Sequence, residues 1–276
     1  MERVTRFAPS PTGHLHLGHA YSALFAEAQG TRFLVRIEDI DTGRCRPKFD
    51  EAILDDLAWL GLAWEMPVRR QSAYMDDYAG ALNALAARDL LYPCFCTRKD
   101  IQAEITAAGH APHSPDGPVY PGICRNLSSP ERDERLAIGT PHALRLKMDR
   151  AIAAAGPLIW HDATAGPQQA RPEIFGDIVL ARKDTPTSYH LAVTVDDYLQ
   201  GITLVTRGQD LFEASHIHRL LQALLGYKAP TYNHHKLLTD AQGNRFAKRD
   251  KAQTLQSLRA DGHTPASVRA MAGWKT

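Results

Sequence analysis

The amino-terminal part of the chain contains a strand, a loop and a helix in immediate succession. Thr5 to Ala8 is predicted to be a strand, and it ends in the loop Pro9-Ser10-Pro11-Thr12-Gly13. Apolar residues with helical spacing come directly after the loop, from Leu17 to Ala28. A second strand is predicted from Thr31 to Ile37, with acidic residues after it. Because functional side chains gather at such strand ends in open sheets, this order predicts an α/β fold with a site near these turns.

The rest of the chain repeats this alternation around an insertion. Helical spacing predicts packing helices from Lys48 to Arg88, interrupted at Gly61 to Pro67. A second α/β half is predicted from a helix at Tyr189 to Tyr198, a strand at Ile202 to Thr206, a helix at Ala214 to Leu225 and a strand at Thr231 to Leu238. The predicted segments are residues 1–93 as the first half, 94–140 as an inserted subdomain, 141–238 as the second half, and 239–276 as a loop with short helices.

Composition bounds the class of protein. The 276 residues are 44% hydrophobic and 23% charged, which is typical of a globular protein with one large or two modest domains. Lys and Arg total 32 against 31 Asp and Glu, so contact with RNA would need a local basic patch. The sequence has no apolar leader and no apolar run long enough to span a bilayer. We therefore expect a cytoplasmic protein without a membrane partner, and separately we expect a monomer, although the sequence itself gives no oligomeric state.

Two histidines lie three residues apart where the first loop becomes a helix. The chain contains neither GxxxxGK[ST] nor GxGxxG, so nucleotide binding would need another device. His16 and His19 share one helical face, and Gly18 leaves room for a ligand near the backbone. The partial positive charge of the helix N-terminus suits phosphate oxygens. This pattern predicts an anion site at His16, Gly18 and His19, with a pair of structural histidines as the alternative.

Several blocks, in order along the chain, resemble one enzyme family. Arg6 to Gly13, followed by His16-Leu17-Gly18-His19, resembles the HIGH signature of the class I aminoacyl-tRNA synthetases in their glutamyl and glutaminyl branch. Further blocks resemble that branch at Arg36 to Asp41, Ser188 to Asp197, Thr206 to Gly208 and Asp210-Leu211. The resemblance implies a Rossmann-like doubly wound parallel sheet, the HIGH-type nucleotidyl-transferase fold. It also implies a ligase that uses ATP with Mg²⁺, with His16 and His19 as catalytic residues.

The resemblance further implies a pocket for L-glutamate. A dicarboxylic amino acid needs cations or strong donors for its carboxylates and an anion for its ammonium group. By resemblance, Arg6 and Arg207 face carboxylates, Glu38 faces the ammonium, and Ser10 and Tyr189 donate hydrogen bonds. The expected glutamate-binding set is Arg6, Phe7, Ala8, Pro9, Ser10, Glu38, Tyr189 and Arg207. The alternative for Arg36 to Asp41 is a solvated run of salt bridges, in which Asp39 and Asp41 are structural partners.

A second catalytic signature is expected in a loop near the carboxyl terminus, where a lysine screens charge as pyrophosphate leaves. Arg245-Phe246-Ala247-Lys248-Arg249 is the candidate, and it departs from the family's KMSKS pattern at every position except that of Lys248. Lys248 matches the central lysine, and we expect it to be catalytic and to bind ATP. A solvated basic loop is the alternative.

Three cysteines crowd into the predicted insertion, whereas Cys45 stands alone. Cys94, Cys96 and Cys124 supply three soft ligands, and zinc takes four. The residues alone favour His110 or His113 as the fourth ligand. Tyr120 instead resembles the tyrosine ligand of the glutamyl-queuosine relatives in this branch, and we expect one structural Zn²⁺ on Cys94, Cys96, Tyr120 and Cys124. Three reduced cysteines in a packed insert are the alternative. Four other histidines are predicted to be surface or packing residues: His216, His218, His234 and His235.

The short segment after Lys248 suggests the acceptor of the acyl group. Only 28 residues remain there, so we expect a catalytic domain without a large anticodon-reading body. Together with the cysteine pattern, this resembles the relatives that attach glutamate to the queuosine base of tRNA(Asp), and the insertion is expected to face the acceptor. Three alternatives stay open: a truncated glutamyl-tRNA synthetase that charges tRNA(Glu), a non-catalytic RNA-binding or regulatory module, and an adenylate-forming enzyme with another acceptor.

Overall fold

The computed structural model describes residues 2–107, 113–115, 117–238 and 253–274. Its strands are β1 (Val4–Phe7), β2 (Arg32–Ile37), β3 (Glu65–Arg70), β4 (Leu91–Cys94), β5 (His113–Ser114), β6 (Gly117–Pro118), β7 (Ala143–Leu146), β8 (Ile159–Asp162), β9 (Gly166–Gln169), β10 (Val179–Ala181), β11 (Leu204–Gly208) and β12 (Thr231–His235). Its α-helices are α1 (Leu17–Gln29), α2 (Pro47–Trp59), α3 (Met75–Ala87), α4 (Arg98–Ala107), α5 (Ser129–Ala137), α6 (Met148–Ala155), α7 (Tyr189–Leu199), α8 (Ala214–Leu225), α9 (Leu255–Ala260) and α10 (Pro265–Met271).

Parallel strands from the two halves of the chain meet at β1 and β11. In the first half, β1, β2 and β3 pair in parallel in that order. In the second half, β11, β12 and β8 pair in parallel, and β9 closes the edge in antiparallel orientation. The Val4 N–H donates to Thr203 Oγ1 at 2.9 Å, and the Thr203 N–H donates to the Val4 carbonyl at 3.1 Å. Ligands of open α/β sheets bind at such a junction, outside the carboxyl ends of the strands.

Two large apolar cores support this junction. The first packs α1 and α2 against β1 and β2, and it includes Leu255, Leu258 and Val268 from the carboxyl-terminal helices. The second joins α3, α6, α7 and α8 through side chains such as Leu85, Leu191 and Leu221. Because α7 packs into this second core through Leu191 and Ala192, the core fixes the position of the first turn of the helix.

The predicted insertion rises from a separate antiparallel sheet of β10, β7 and β4. Strand β4 enters the insertion and β7 leaves it, and the two pair from Leu91 opposite Leu146 to Cys94 opposite Ala143. Asp177 links β4 to the segment after β7: it accepts hydrogen bonds from the Tyr92 hydroxyl at 2.7 Å and from the Met148 N–H at 2.9 Å. The boundaries at residues 94 and 140 remain a prediction, but paired strands flank them.

The α/β class, the strand–loop–helix opening and the two short carboxyl-terminal helices are confirmed, and α8 has the predicted bounds. The local patterns did not predict β3, β4, β5, β6 and β9. The interruption around Pro67 contains β3, and the polar segment Gly166–Gln169 forms β9. Both are edge strands with exposed positions, so neither has the apolar pattern that identifies a buried strand. None of the described helices combines the length and apolar character needed to cross a membrane.

Candidate active site

The predicted glutamate-binding side chains come from both halves of the sheet. Arg6 is on β1, Glu38 directly follows β2, and Arg207 is on β11. The Glu38 N–H donates to the Pro9 carbonyl at 2.9 Å, which ties the end of β2 to the loop after β1. Tyr189 begins α7 and completes the group. Since β1 pairs with β2 and adjoins β11, the topology brings these side chains to one edge.

A carboxylate on α7 holds two buried arginines. Arg6 Nε donates to Asp197 Oδ1 at 2.8 Å, and Arg6 Nη2 donates to Oδ2 at 3.3 Å. Arg36 Nη1 donates to the same Asp197 Oδ1 at 2.8 Å, and Arg36 Nη2 donates to Glu38 Oε1 at 3.1 Å. We call Arg6, Arg36, Glu38 and Asp197 the Asp197 cluster. Its two guanidinium groups and two carboxyl groups allow the buried charges to offset each other.

The two carboxyl groups of the Asp197 cluster are tuned in opposite directions. Burial disfavours the charged form of Asp197, but Arg6 and Arg36 outweigh this and hold its pKa below the usual range. Burial raises the pKa of Glu38, although Arg36 and Arg6 act against the rise. Asp197 is therefore the permanent anion of the cluster. In the described part of the chain, Glu38 Oε2 has no hydrogen-bond donor, so that atom can accept from a ligand.

Neighbouring Asp196 ties α7 to the segment from β3 to α3. Its carboxylate accepts hydrogen bonds from Arg69 Nε at 2.7 Å, from Gln71 Nε2 at 2.8 Å, and from the Tyr78 hydroxyl at 3.0 Å. These donors lie on β3, the turn after it and α3. Asp196 is fully buried, so this pattern anchors the helix that carries Asp197.

Arg207 is buried in a different environment. Its Nε donates to His234 Nε2 at 3.1 Å, its Nη1 to His218 Nδ1 at 3.0 Å, and its Nη2 to Ser215 Oγ at 2.6 Å. We call Arg207, Ser215, His218 and His234 the Arg207 pocket. Among the described residues, no carboxylate lies within 4.0 Å of the Arg207 guanidinium nitrogens, although its exposed fraction is 7%. The pocket therefore contains a buried cation that no direct anionic partner compensates.

The two histidines of this pocket are neutral. Burial, and then the charge of Arg207, lowers the pKa of His234 to about 4, while Asp162 acts in the opposite direction. Burial and Arg207 also hold the pKa of His218 well below its usual value. His234 Nδ1 is 2.7 Å from Asp162 Oδ2, and His218 Nε2 is 3.2 Å from His190 Nδ1. His216, His218, His234 and His235 are all buried, which excludes the surface alternative of the prediction and leaves the packing alternative.

The pKa of the Tyr189 hydroxyl responds to charges in both the Asp197 cluster and the Arg207 pocket. Burial raises the pKa of its hydroxyl, Arg207 lowers it, and Glu38 raises it. The phenol therefore senses charges from both groups. The loop residues expected beside it differ in exposure: Phe7 and Pro9 are buried, Ala8 is half-buried, and Ser10 is exposed. The structure thus brings Arg6, Glu38, Tyr189 and Arg207 to one edge, with Ser10 at the surface.

The histidines of the first signature cap α1 reciprocally. His16 Nδ1 accepts the Gly18 N–H at 3.1 Å, and His19 Nδ1 accepts the His16 N–H at 3.2 Å. Their rings stack with centroids 3.8 Å apart. Because each Nδ1 accepts, each ring carries a proton on Nε2, a donor suited to a phosphate oxygen. A Cβ atom at position 18 would lie 3.0 Å from His16 Cε1, so a side chain there would crowd the His16 ring and glycine leaves the space that the ring needs.

The segment after the predicted second signature returns to this helix end. The Leu255 N–H donates to the Leu15 carbonyl at 2.8 Å, and Thr254 forms an isolated antiparallel bridge with His16. Lys248 and the rest of Arg245 to Arg249 lie outside the described residues. The chain after the predicted loop is therefore anchored at the first signature.

Three sulfur atoms and a phenol converge in the insertion. The Sγ atoms of Cys94, Cys96 and Cys124 lie within 4.8 Å of one another. The Tyr120 hydroxyl is 3.4 Å from the sulfur atoms of both Cys94 and Cys96. The Phe95 N–H donates to Cys124 Sγ at 3.2 Å, which suits a thiolate. This soft donor set, with one oxygen, fits tetrahedral zinc. Of the other candidates, His110 lies outside the described residues, as does the side chain of His113.

Residues 2–273 match the family model described as the catalytic domain of class I tRNA synthetases (E and Q). The chain belongs to this family. Class I synthetases use ATP with Mg²⁺, which agrees with the strand-end location of the site. The family match also explains why the site is divided between two βα halves.

Curated class I relatives match along nearly the whole chain. The glutamyl-Q tRNA(Asp) synthetase of Rhodobacter capsulatus is 49% identical over 98% of this chain and 99% of its own length. The protein of the same name from Symbiobacterium thermophilum is 42% identical over 95% of this chain and 83% of its own length. The first relative is thus close in length to this chain, whereas the alignment leaves about a sixth of the second relative uncovered.

Solved class I structures share the fold but are longer. A glutamate tRNA ligase from Elizabethkingia meningosepticum, in complex with its amino acid, is 27% identical with a TM-score of 0.80. That from Elizabethkingia anophelis is 28% identical with a TM-score of 0.82. Each alignment covers 99% of this chain but 60% and 61% of the respective neighbour. The chain therefore spans about three fifths of the length of these ligases.

Sequence reasoning did not assign the residues that hold the predicted site residues in place. Asp197 and Arg36 stand in the recognised blocks with no predicted role in the site, and His218 and His234 are predicted only to be surface or packing residues. One usable signal was present: the adjacent Asp196 and Asp197 lie in an otherwise apolar helical segment. Buried carboxylates require partners, so that pair could have indicated an ion-pair network.

Proposed function

We propose that this chain activates L-glutamate with ATP and transfers the glutamyl group to the queuosine base in the anticodon of tRNA(Asp). The observation that carries this proposal is the match, over 99% of its length, with a relative named glutamyl-Q tRNA(Asp) synthetase. The buried Arg207, with no carboxylate beside it in the described part of the chain, supports an anionic substrate. Activation is proposed to need no tRNA, and the working unit is proposed to be a monomer.

In the first step, a glutamate α-carboxylate oxygen attacks the α-phosphorus of ATP, the bond to the β-phosphate oxygen breaks, and pyrophosphate leaves. Arg207 is proposed to hold the side-chain carboxylate, and Glu38 Oε2 to accept the ammonium. The Nε2–H groups of His16 and His19 are proposed to donate to phosphate oxygens. These groups position the reactants and screen charge, and none of them needs to form a covalent bond.

In the second step, a hydroxyl of the queuosine cyclopentenediol attacks the acyl carbonyl, and AMP leaves with the bonding pair. The hydroxyl proton is released as the ester forms.

Lys248 is proposed to screen the developing charge of the first step. Replacing it with alanine should therefore slow adenylate formation more than the transfer step, as measured by separate single-turnover assays.

Zinc is proposed to bind Cys94, Cys96, Tyr120 and Cys124 and to act as a structural cross-link in the insertion. The N–H···S hydrogen bond from Phe95 to Cys124 supports this role. Cys94→Ser should lower the zinc content and the thermal stability, whereas Cys45→Ser, at the cysteine outside this group, should change neither. Elemental analysis and thermal unfolding measure both quantities. Equal zinc content in Cys94→Ser and the wild type would contradict the site.

The acceptor assay tests the proposed function. Purified protein, ATP and radiolabelled glutamate are incubated with tRNA from cells that make queuosine and with tRNA from cells that do not. Label is expected in tRNA(Asp) from the first source and not in tRNA from the second. Equal labelling of both would reject queuosine as the acceptor, and labelling of the 3′ end of tRNA(Glu) would favour glutamyl-tRNA synthetase activity. Glutamate-dependent ATP–pyrophosphate exchange with no labelled tRNA would point to another acceptor.

A further inference from the structure

The acceptors around Arg207 assign the protonation of both neighbouring histidines. A guanidinium nitrogen can only donate, so His218 Nδ1 and His234 Nε2 must each be unprotonated. Each ring then carries its single proton on the opposite nitrogen. His234 Nδ1 donates to Asp162 Oδ2 at 2.7 Å, and His218 Nε2 donates to His190 Nδ1 at 3.2 Å. Both histidines thus orient Arg207 as neutral acceptors.

The imidazole ring of His234 separates the carboxylate of Asp162 from the Arg207 guanidinium group. Asp162 accepts from His234 and also from the backbone N–H groups of Thr164 and Ala165, at 2.9 and 2.8 Å. It therefore fixes the His234 ring and does not contact Arg207 directly. A carboxylate in the place of either imidazole would form an ion pair with Arg207 and cancel the charge that a substrate would meet.

The guanidinium retains capacity for a ligand. Arginine has five N–H donors. Three of them are used by the other members of the Arg207 pocket, and within the described ranges the structure records no further acceptor for the remaining two. Those two N–H groups lie on the terminal nitrogens, Nη1 and Nη2. Two N–H donors on neighbouring nitrogens match the two oxygens of a carboxylate. A carboxamide offers one oxygen acceptor, and its NH₂ group can only donate.

We propose that His218 and His234 are positioning residues that determine the selectivity of this site for a side-chain carboxylate over a carboxamide. They hold Arg207 in a fixed orientation while leaving its charge uncompensated. This inference rests on the proposed function, because it takes glutamate as the substrate and glutamine as the rejected analogue. The low pKa values of both histidines agree with it, since protonation would place two cations in contact.

A matched pair of substitutions at position 218 separates charge from shape. His218→Asn replaces Nδ1 with an amide oxygen and keeps a neutral acceptor. His218→Asp has the same shape and adds a carboxylate. ATP–pyrophosphate exchange without tRNA gives kcat and KM for glutamate and for glutamine. We expect the KM for glutamate to rise at least tenfold more in His218→Asp than in His218→Asn, with a lower preference for glutamate over glutamine.

The exposed His161 supplies the control pair. His161→Asn and His161→Asp should have equal KM values, because this residue lies outside the Arg207 pocket. A purely structural role for His218 would lower kcat or stability in both variants and leave the preference between glutamate and glutamine unchanged. Equal KM values and equal preference in His218→Asn and His218→Asp would overturn the inference.

Failure of the proposed function has a different signature. If the wild type supports no glutamate-dependent exchange, the proposed substrate is wrong and the role inferred for the histidines falls with it. If the wild type and His218→Asn are active and His218→Asp behaves like His218→Asn, the inference alone fails. If His218→Asp does not fold, His234→Gln and His234→Glu supply a second pair, since a glutamine oxygen can replace Nε2. The same comparison of KM and preference then decides.

Discussion

Two groups of buried arginine side chains lie at the same edge of the sheet and differ in how their charge is compensated. In the Asp197 cluster, Arg6 and Arg36 share one carboxylate, and Arg36 also contacts Glu38. In the Arg207 pocket, the cation is bounded by two neutral imidazoles and a hydroxyl. A compensated network favours stability and geometry, whereas an uncompensated cation is suited to bind an anion. The first group should therefore matter most for folding and the second for substrate.

Removing the shared carboxylate should break the first group. Asp197→Asn leaves Arg6 and Arg36 buried without their common anion, and breaking such a buried pair costs about 3–5 kcal/mol of folding free energy. Urea unfolding followed by circular dichroism measures this loss. Asp55→Asn, at an exposed position of α2 outside the cluster, is the control and should unfold like the wild type. A loss below about 1 kcal/mol in Asp197→Asn would show that the cluster does not support the fold.

Removing the uncompensated cation should affect the substrate more than the fold. Arg207→Gln is expected to lower kcat/KM for glutamate by roughly 30-fold to several thousand-fold, because losing one partner of a buried charge contact costs about 2–5 kcal/mol. Its free energy of unfolding should fall less than that of Asp197→Asn. Exchange kinetics and urea unfolding of the same preparations test both parts. The reverse order of stabilities would remove the distinction between the two groups.

The two groups should also respond to acid in different pH windows. The pKa of His234 is about 4 in the folded chain, below its usual 6.5, so the unfolded state binds a proton first as pH falls. His234 should therefore lower the stability by up to about 3 kcal/mol from about pH 6.5 towards pH 4, and His218, whose pKa is also lowered by burial and by Arg207, should add to the decline. Asp197 has a lowered pKa, so its contribution is present above about pH 3.9 and is lost only as pH falls through its folded pKa.

Urea unfolding between pH 7.5 and pH 4 separates these windows. His234→Gln should remove the contribution of His234 to the decline between pH 6.5 and pH 4, since glutamine does not titrate, and should leave the contribution of His218. Asp197→Asn should retain that decline, because His234 is still present. The contrast between the groups would be lost if the wild type and His234→Gln had the same pH dependence.

The smallest effect is expected at an arginine with a carboxylate partner on the surface. Arg32 forms two hydrogen bonds of 2.7 Å with Glu65, and both side chains are exposed. Solvent screens such pairs, so Arg32→Ala should change neither the exchange kinetics nor the melting temperature measurably. A large loss of activity would show that the number of ion pairs, and not their burial, determines the response.

Much of the fold followed from local patterns in the sequence. The α8 segment from Ala214 to Leu225 has strong helical periodicity and a glycine immediately after it, and it was predicted with its observed bounds. By contrast, β3 and β9 were missed because edge strands with exposed positions lack that periodicity. Long-range pairing between Val4 and Thr203 depends on topology, which no local window contains.

The site was predictable only in part, for a related physical reason. Motif resemblance indicated Arg6, Glu38, Tyr189 and Arg207, and the structure brings them to one edge. Their partners come from distant elements: Asp197 lies 191 positions from Arg6, and His234 lies 27 positions from Arg207. The neutral state of the histidines depends on burial and on the charge of Arg207, and neither can be read from sequence spacing.

The measurement that tests the central claim most directly is ATP–pyrophosphate exchange by the wild type, without tRNA, with glutamate and with glutamine. An uncompensated Arg207 predicts exchange that depends on glutamate, with kcat/KM at least about 100-fold above that for glutamine. Equal exchange with the two amino acids would contradict the account, because a carboxamide would then satisfy the site as well as a carboxylate. Exchange with neither would show that the chain does not activate this class of substrate.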